Sequence, residues 1–163
     1  MKSHPDQKGF TLVELVVVLV VAGIVAAVAA ERWDATDATA PYQAELLARN
    51  IRHMQELAMI WGQTLSLIST SNGYSVACAA STTGPCASNP VQDPASGSPF
   101  SVPLSYNVTL SGLTLYVDSL GRPLSGPGGT VLTAAQTFTL STGSQTWSAT
   151  VQPITGFVVV TTP

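Results

Sequence analysis

The chain of 163 residues is long enough for one membrane-length helix and one domain of roughly 100–130 residues. Charged residues make up only 9% of the chain, well below the roughly 25% of ordinary soluble domains. The net charge is −3, and Arg122 is the only Lys or Arg after Arg52. This composition argues against a nucleic-acid-binding domain and favours an extracytoplasmic β domain over a cytosolic enzyme.

A long apolar stretch runs from Phe10 to Ala30, and Glu14 is the only ionised side chain within it. At about 1.5 Å per residue, a helix of this length crosses a hydrocarbon core of roughly 30 Å. A carboxylate inside such a helix costs about 2.5–3.5 kcal/mol. A plain anchor offers nothing to offset that cost, so the sequence predicts a partner for Glu14 that becomes available later.

The charges on either side of this stretch predict its orientation. Lys2 and Lys8 precede it, whereas Glu31, Asp34 and Asp37 follow it. The positive-inside rule therefore places the N-terminus in the cytoplasm and the rest of the chain outside.

Two simpler interpretations explain this segment less well. A secretory signal has a hydrophobic region of about 7–15 residues, shorter than this stretch, although residues 27–29 resemble a small-residue cleavage site. An uncleaved anchor explains the length, but it explains neither Glu14 nor the Gly9-Phe10 junction.

The run KGFTLVEL at residues 8–15 resembles the class III signal of type IV pilins and type II secretion pseudopilins. In that family a membrane-embedded peptidase cuts after the glycine, and the new first residue is methylated. The resemblance implies cleavage between Gly9 and Phe10, removal of a leader at residues 1–9, and methylation of Phe10. It also implies that the amine of Phe10 pairs with Glu14 of a neighbouring subunit, which sets the register of assembly.

The resemblance further implies the partners and the location. The partners are the prepilin peptidase, other pilin or pseudopilin subunits, the inner-membrane assembly platform and the lipid bilayer; no cofactor is expected. Residues 10–33 would form a helix that first spans the inner membrane once, with the N-terminus cytoplasmic and the head periplasmic. The same helix would later lie in the core of a pilus or pseudopilus.

Residues 34–62 are expected to continue the helix as an amphipathic segment. Pro41 predicts a kink or a short interruption, because proline breaks an interior helical turn. Beyond it, apolar residues alternate at spacings of four and three and predict one buried stripe: Leu47, Ile51, Met54, Ala58 and Trp61. Gly62 is expected to end the helix.

Residues 63–163 read as a β-rich head. The Asn72-Gly73 pair predicts a hairpin between strands at 64–68 and 74–77. Further strands are predicted at 105–110, 113–117, 137–140, 146–151 and 157–161, and residues 79–101 read as a long connection. The expected fold is α+β: a long N-terminal helix packed on a C-terminal antiparallel head, which the resemblance implies to be β-sandwich-like.

Cys78 and Cys86 enclose a short loop of small residues. In an oxidising compartment they are expected to form a disulfide. A metal site is not expected, because two cysteines with no neighbouring histidine cannot complete a zinc site.

A weaker resemblance covers the head. The amphipathic helix with Ala48-Arg49, the hairpin, and the run YVDSLGRP at residues 116–123 are similar to the minor pseudopilin H and FimT subgroup, and to MSHA-type minor pilins. The alternative for residues 116–123 is a turn that Asp and Gly form at the end of a strand.

The residues do not support catalysis. His4 lies in the expected leader, and His53 reads as a surface or boundary residue of the helix. After Glu56 the only carboxylates are Asp93 and Asp118, with no sign that they converge for acid–base work or calcium binding. The sequence therefore predicts a non-enzymatic protein.

Two functional hypotheses remain. The first is a minor pilin or pseudopilin, incorporated at or near the tip of a type IV pilus or type II secretion pseudopilus, that supports assembly and protein secretion. The second is an adhesin-like or substrate-recognition pilin, which contacts a surface, a substrate or a glycan through residues 78–100 and the edges rich in Ser and Thr. A DNA-uptake role is disfavoured because Arg122 is outnumbered by acidic residues in the head.

Overall fold

The computed structural model describes residues 12–31, 35–104, 107–143 and 145–161, with only the backbone described at 27–31 and 35–38. The chain divides into two compact units, the first ending at Ala35 and the second beginning at Thr36.

The first unit contains helix α1, Leu12–Glu31, which consists almost entirely of Leu, Val, Ile, Ala and Gly. Within the described part of the chain, no helix has both the length and the apolar character needed to cross a membrane. The membrane-spanning role expected of residues 10–30 stays a prediction.

The second unit begins with helix α2, Ala35–Trp61, whose predicted stripe is confirmed. Leu47, Ile51, Met54 and Ala58 are all completely buried, and Trp61 is partly buried against the same core. The helix ends before Gly62, whose φ of 62° is the left-handed conformation that glycine adopts readily at a helix C-terminus.

The interruption expected near Pro41 is not found, because α2 is one helix from Ala35 to Trp61 with Pro41 inside it. Proline lacks the N–H that would bond to the carbonyl of Asp37, so one bond of the helical ladder is lost. Burial of Ala40 and Ala44 on both sides of Pro41 favours a continuous helix across this point. A kink at Pro41 stays a prediction.

The head contains nine strands in the described residues. Their bounds are β1 Leu65–Thr70, β2 Gly73–Cys78, β3 Ser101–Pro103, β4 Thr109–Leu110, β5 Thr114–Val117, β6 Pro123–Leu124, β7 Gln136–Thr142, β8 Gln145–Val151 and β9 Val158–Thr161. They form two antiparallel sheets, one of five strands in the order β3-β2-β1-β5-β6 and one of four in the order β4-β7-β8-β9. The α+β class and the antiparallel pairing are confirmed.

The β1–β2 hairpin is confirmed, but its turn lies one residue earlier than Asn72-Gly73 predicts. Thr70 pairs with Gly73, so the turn residues are Ser71 and Asn72. Gly73 instead lies in β2 against β3, where a Cβ atom would come within 2.6 Å of the Val102 carbonyl oxygen. Close strand approach is therefore the reason for glycine at this position.

The other five predicted strands correspond to β4, β5, β7, β8 and β9, with ends shifted by a few residues. The prediction missed β3 and β6, which are short edge strands containing Pro103 and Pro123. Proline is tolerated at a sheet edge and lowers the strand signal in a sequence.

One hydrophobic core joins α2 to both sheets. In β7 and β8 every second side chain is buried, as the two-residue period of a strand requires. Phe138 and Leu140 from β7 face this core together with Trp147 and Val151 from β8.

Candidate functional site

The residues of the expected cleavage and methylation site, Gly9 and Phe10, lie outside the described residues. Glu14 is described, and it lies in the first turn of α1. An acidic residue in this position is favoured by the helix dipole, whose N-terminus is positive. The carboxylate is exposed and carries the only charge among the described side chains of α1, residues 12–26.

The apolar side chains of α1 are exposed around the whole helix. Leu12 is 80% exposed, Val13 69% and Ile24 61%. Every described residue from Leu12 to Ala26 is exposed. An α-helix that is apolar on all sides is stable only when other apolar groups cover it.

Polar side chains of α2 bind backbone carbonyls in strand β9 and in two turns of the head. Arg52 donates from Nη2 to the Val158 carbonyl at 2.9 Å. The amide of Gln55 donates to the carbonyls of Gly121 and Gly156, both at 3.0 Å. These bonds tie the 118–122 turn and the 152–157 turn to the helix.

His53 is a half-buried boundary residue, as expected, and it connects α2 to the long 79–100 segment. Its Nε2 lies 2.9 Å from Oδ1 of Asp93, and its ring lies against Phe100 with a centroid distance of 5.6 Å. The other ring nitrogen lies 3.7 Å from Glu56. Both ring nitrogens thus face carboxylates, and the described residues place no nucleophile against this histidine.

Hydrogen bonding keeps Asp93 ionised. Partial burial acts to raise its pKa, but bonds from His53, the Ala95 N–H and the Ser96 hydroxyl outweigh this and lower the pKa below its usual value.

Tyr74 is a second contact between α2 and the sheet. Its hydroxyl accepts a bond of 2.8 Å from the side-chain amide of Asn50. Burial raises the pKa of Tyr74 to about 12, so this phenol stays neutral at physiological pH.

Ser69 and Ser111 join the two sheets. Ser69 Oγ lies 2.8 Å from the Ser111 carbonyl and 2.7 Å from the Leu113 carbonyl, and it accepts a bond from the Leu113 N–H. Ser111 Oγ accepts from the Thr139 N–H, and the Ser111 N–H donates to the Thr139 carbonyl. The 111–113 segment therefore links β1 of one sheet to β7 of the other.

Cys78 and Cys86 form a disulfide, as expected, with Cα atoms 5.6 Å apart. It joins the end of β2 to a single 3₁₀ turn, Gly84–Cys86. Within the described ranges no three His, Cys, Asp or Glu side chains form a group able to hold a metal ion.

Residues 118–122 form an Asp/Gly turn between β5 and β6. Asp118 Oδ1 accepts from the N–H groups of Leu120 and Arg122, and its Oδ2 lies 2.7 Å from Arg122 Nη2. Burial raises the pKa of Asp118, but its bonds to Arg122 and Leu120 lower it more. The ion pair neutralises Arg122, which leaves still less positive charge for a phosphate backbone.

Sequence reasoning missed the link that Ser69 and Ser111 form between the two sheets, called the serine bridge below. It also missed the contacts by which Asn50, Arg52 and Gln55 attach α2 to the head. A sequence signal for the helix residues exists, since polar residues that flank a buried stripe on α2 lie where the helix meets the rest of the head. No comparable signal marks Ser69, because its partners lie more than 40 positions away in the chain.

Comparison with known proteins gives two findings. Residues 4–30 match the family described as the prokaryotic N-terminal methylation motif. The fold is similar to that of the minor pseudopilin EpsH from the type 2 secretion system of Vibrio cholerae, with a TM-score of 0.53 and 16% identity, over 77% of this chain and 98% of that chain. Among curated proteins none matches this chain. The motif agrees with the resemblance that residues 8–15 carry, and the fold agrees with the resemblance of the head to the minor pseudopilin H subgroup.

Proposed function

We propose that this chain, a pilin-like protein by its methylation motif and its pseudopilin fold, is a minor subunit of a type IV pilus or a type II secretion pseudopilus. Subunits of this kind are structural and perform no catalysis. The observation that carries the proposal is α1, an exposed apolar helix with a single carboxylate in its first turn.

The exposed side chains of α1 need an apolar environment, and two such environments fit in succession. In the first, residues 10–33 lie in the inner membrane, with the basic N-terminus in the cytoplasm and the head in the periplasm. In the second, the same residues pack among the helices of neighbouring subunits. Ala22, Ala26 and Ala30 recur at spacing four, which allows close helix packing without water.

Processing supplies the charge that assembly requires. Prepilin peptidase removes residues 1–9 by cutting between Gly9 and Phe10, and Phe10 is methylated. Its positive amine then pairs with Glu14 of a neighbouring subunit. In a low-dielectric filament core a mispaired carboxylate is strongly penalised, so this pair favours one stagger between subunits.

Residues 34–62 and the head at 63–163, whose two sheets form a sandwich-like body, remain on the outside of the filament. We place the subunit at or near the filament tip, where it supports assembly and protein secretion with the inner-membrane platform. DNA uptake by this head is disfavoured, because its cation Arg122 is paired with Asp118.

Replacement of Glu14 tests this proposal. Glu14→Ala should abolish or strongly reduce incorporation of the subunit into filaments, because the amine of Phe10 then has no carboxylate to meet. Glu45→Ala is the matched control, since Glu45 is an exposed acid on α2. The measurement is the amount of subunit in sheared filaments or in cross-linked pseudopili, beside the amount in the membrane fraction. Normal incorporation of the Glu14→Ala protein would contradict the proposal.

A further inference from the structure

A hollow of about 450 Å³ lies between the end of α2 and the disulfide-bonded segment of the head. The residues that line this Trp61 hollow include Trp61, Pro85, Ser88, Gln92 and Asp93. All its lining residues belong to the second unit.

Trp61 forms an apolar wall of the hollow. It is the last residue of α2, and part of its side chain packs against the core while another part lines the hollow. A partly buried indole is held in one orientation, so its remaining surface forms a rigid apolar platform.

The other residues that line the hollow come from the 84–97 segment, which is held in place by contacts with the rest of the head. The Cys78–Cys86 disulfide holds one end, and the completely buried Val91 donates its N–H to the Val76 carbonyl of β2 at 2.9 Å. Asp93 is held by His53 at 2.9 Å and by the Ala95 N–H at 3.0 Å. A wall ordered before binding lowers the entropic cost of binding a ligand.

The polar groups of the hollow suit a ligand rich in hydroxyl groups. Gln92 is exposed and offers both donors and an acceptor, and Ser88 offers a hydroxyl. Asp93 accepts hydrogen bonds and repels anions. A ligand that combines an apolar face with several neutral hydroxyl groups matches a tryptophan wall beside such residues.

We propose that the Trp61 hollow is a binding site for a neutral saccharide, with one sugar ring on Trp61 and its hydroxyl groups bonded to Gln92, Ser88 and Asp93. The proposal does not depend on filament assembly, so each can fail while the other stands.

The test uses the full chain in a zwitterionic detergent that has no sugar headgroup. The probes are the neutral saccharides cellotetraose, tetra-N-acetylchitotetraose and maltotetraose at up to about 10 mM, a concentration that detects binding as weak as a Kd of about 1 mM. Binding is followed by calorimetry. We expect at least one probe to bind, and Gln92→Ala to weaken that binding by about fivefold, the effect of one lost hydrogen bond.

Two further variants make the result decisive. Gln145→Ala on β8 is the matched control and should bind as the unchanged protein does, because Gln145 does not line the hollow. Trp61→Phe preserves most of the core packing and should also weaken binding. The proposal would be overturned if none of the three probes binds, or if the Gln92→Ala and Trp61→Phe proteins bind a probe as tightly as the unchanged protein does.

Discussion

Ser69 shows how a single hydroxyl can join two parts of a fold. It is only 8% exposed and meets two carbonyls and one N–H in the 111–113 segment. A hydroxyl has one proton, so it donates to one carbonyl at a time while it accepts from the Leu113 N–H. Its loss would leave the partly buried Leu113 N–H without this bond.

Ser69→Ala should therefore lower the free energy of unfolding by about 1–3 kcal/mol. Ser75→Ala is the control, because Ser75 lies on the neighbouring strand β2, is more exposed, and should cost little. Urea denaturation followed by circular dichroism measures both variants. Equal stability of the two proteins would show that the serine bridge does not stabilise the head.

Asp93 is a residue whose contribution should depend on pH. Its pKa in the folded state is lowered from the ordinary 3.8, so the ionised form favours folding. That stability is present above pH 3.8 and is lost as the pH falls through the lower folded-state pKa.

Asp93→Asn should cost about 0.5–1.5 kcal/mol at pH 7, the range for a hydrogen bond, because the amide replaces the ionised carboxylate that His53, Ala95 and Ser96 hold. The difference from the unchanged protein should shrink as the pH falls from 3.8 through the lower folded-state pKa, because the Asp93 carboxyl then becomes neutral like the asparagine. Stability curves between neutral and acid pH measure this, with Glu45→Gln as the control for an exposed acid. A cost that stays constant over the whole range would contradict the ionic role of Asp93.

At the scale of elements, the sequence predicted α2 and most strands because each carries a strong period of its own. The stripe from Leu47 to Ala58 has helical spacing, and β7 and β8 alternate strictly. Proline explains the errors, which are the interruption expected near Pro41 and the missed strands β3 and β6. Pro41 lies inside α2, and Pro103 and Pro123 lie in the edge strands. In each case packing against the core or a neighbouring strand outweighed the local preference of proline.

The Cys78–Cys86 disulfide is the element-scale feature with the clearest stability effect. It closes a loop across a sequence separation of 8, for which chain entropy gives about 2–3 kcal/mol. Replacement of both cysteines by serine should lower the free energy of unfolding by that amount. Reduction of the unchanged protein should have a similar effect in denaturant melts, and no change in either experiment would contradict it.

At the scale of the whole molecule, the methylation motif near the N-terminus could be recognised in the sequence, whereas the Trp61 hollow could not. Residues 8–15 are contiguous, so their chemistry can be read directly. The Trp61 hollow needs Trp61 and Gln92 to come together from separate parts of the chain, and His53 to hold Asp93 in place. Only the folded head provides that arrangement.

The central proposal is that cleavage after Gly9 creates a positive amine on Phe10, which pairs with Glu14 of a neighbouring subunit in the filament. Mass spectrometry of the mature polypeptide, isolated from cells that contain a prepilin peptidase, tests this most directly. The account predicts that the mature chain begins at Phe10 and carries one methyl group on its amine. A mature chain that begins at any other residue, or one that retains residues 1–9, would contradict it.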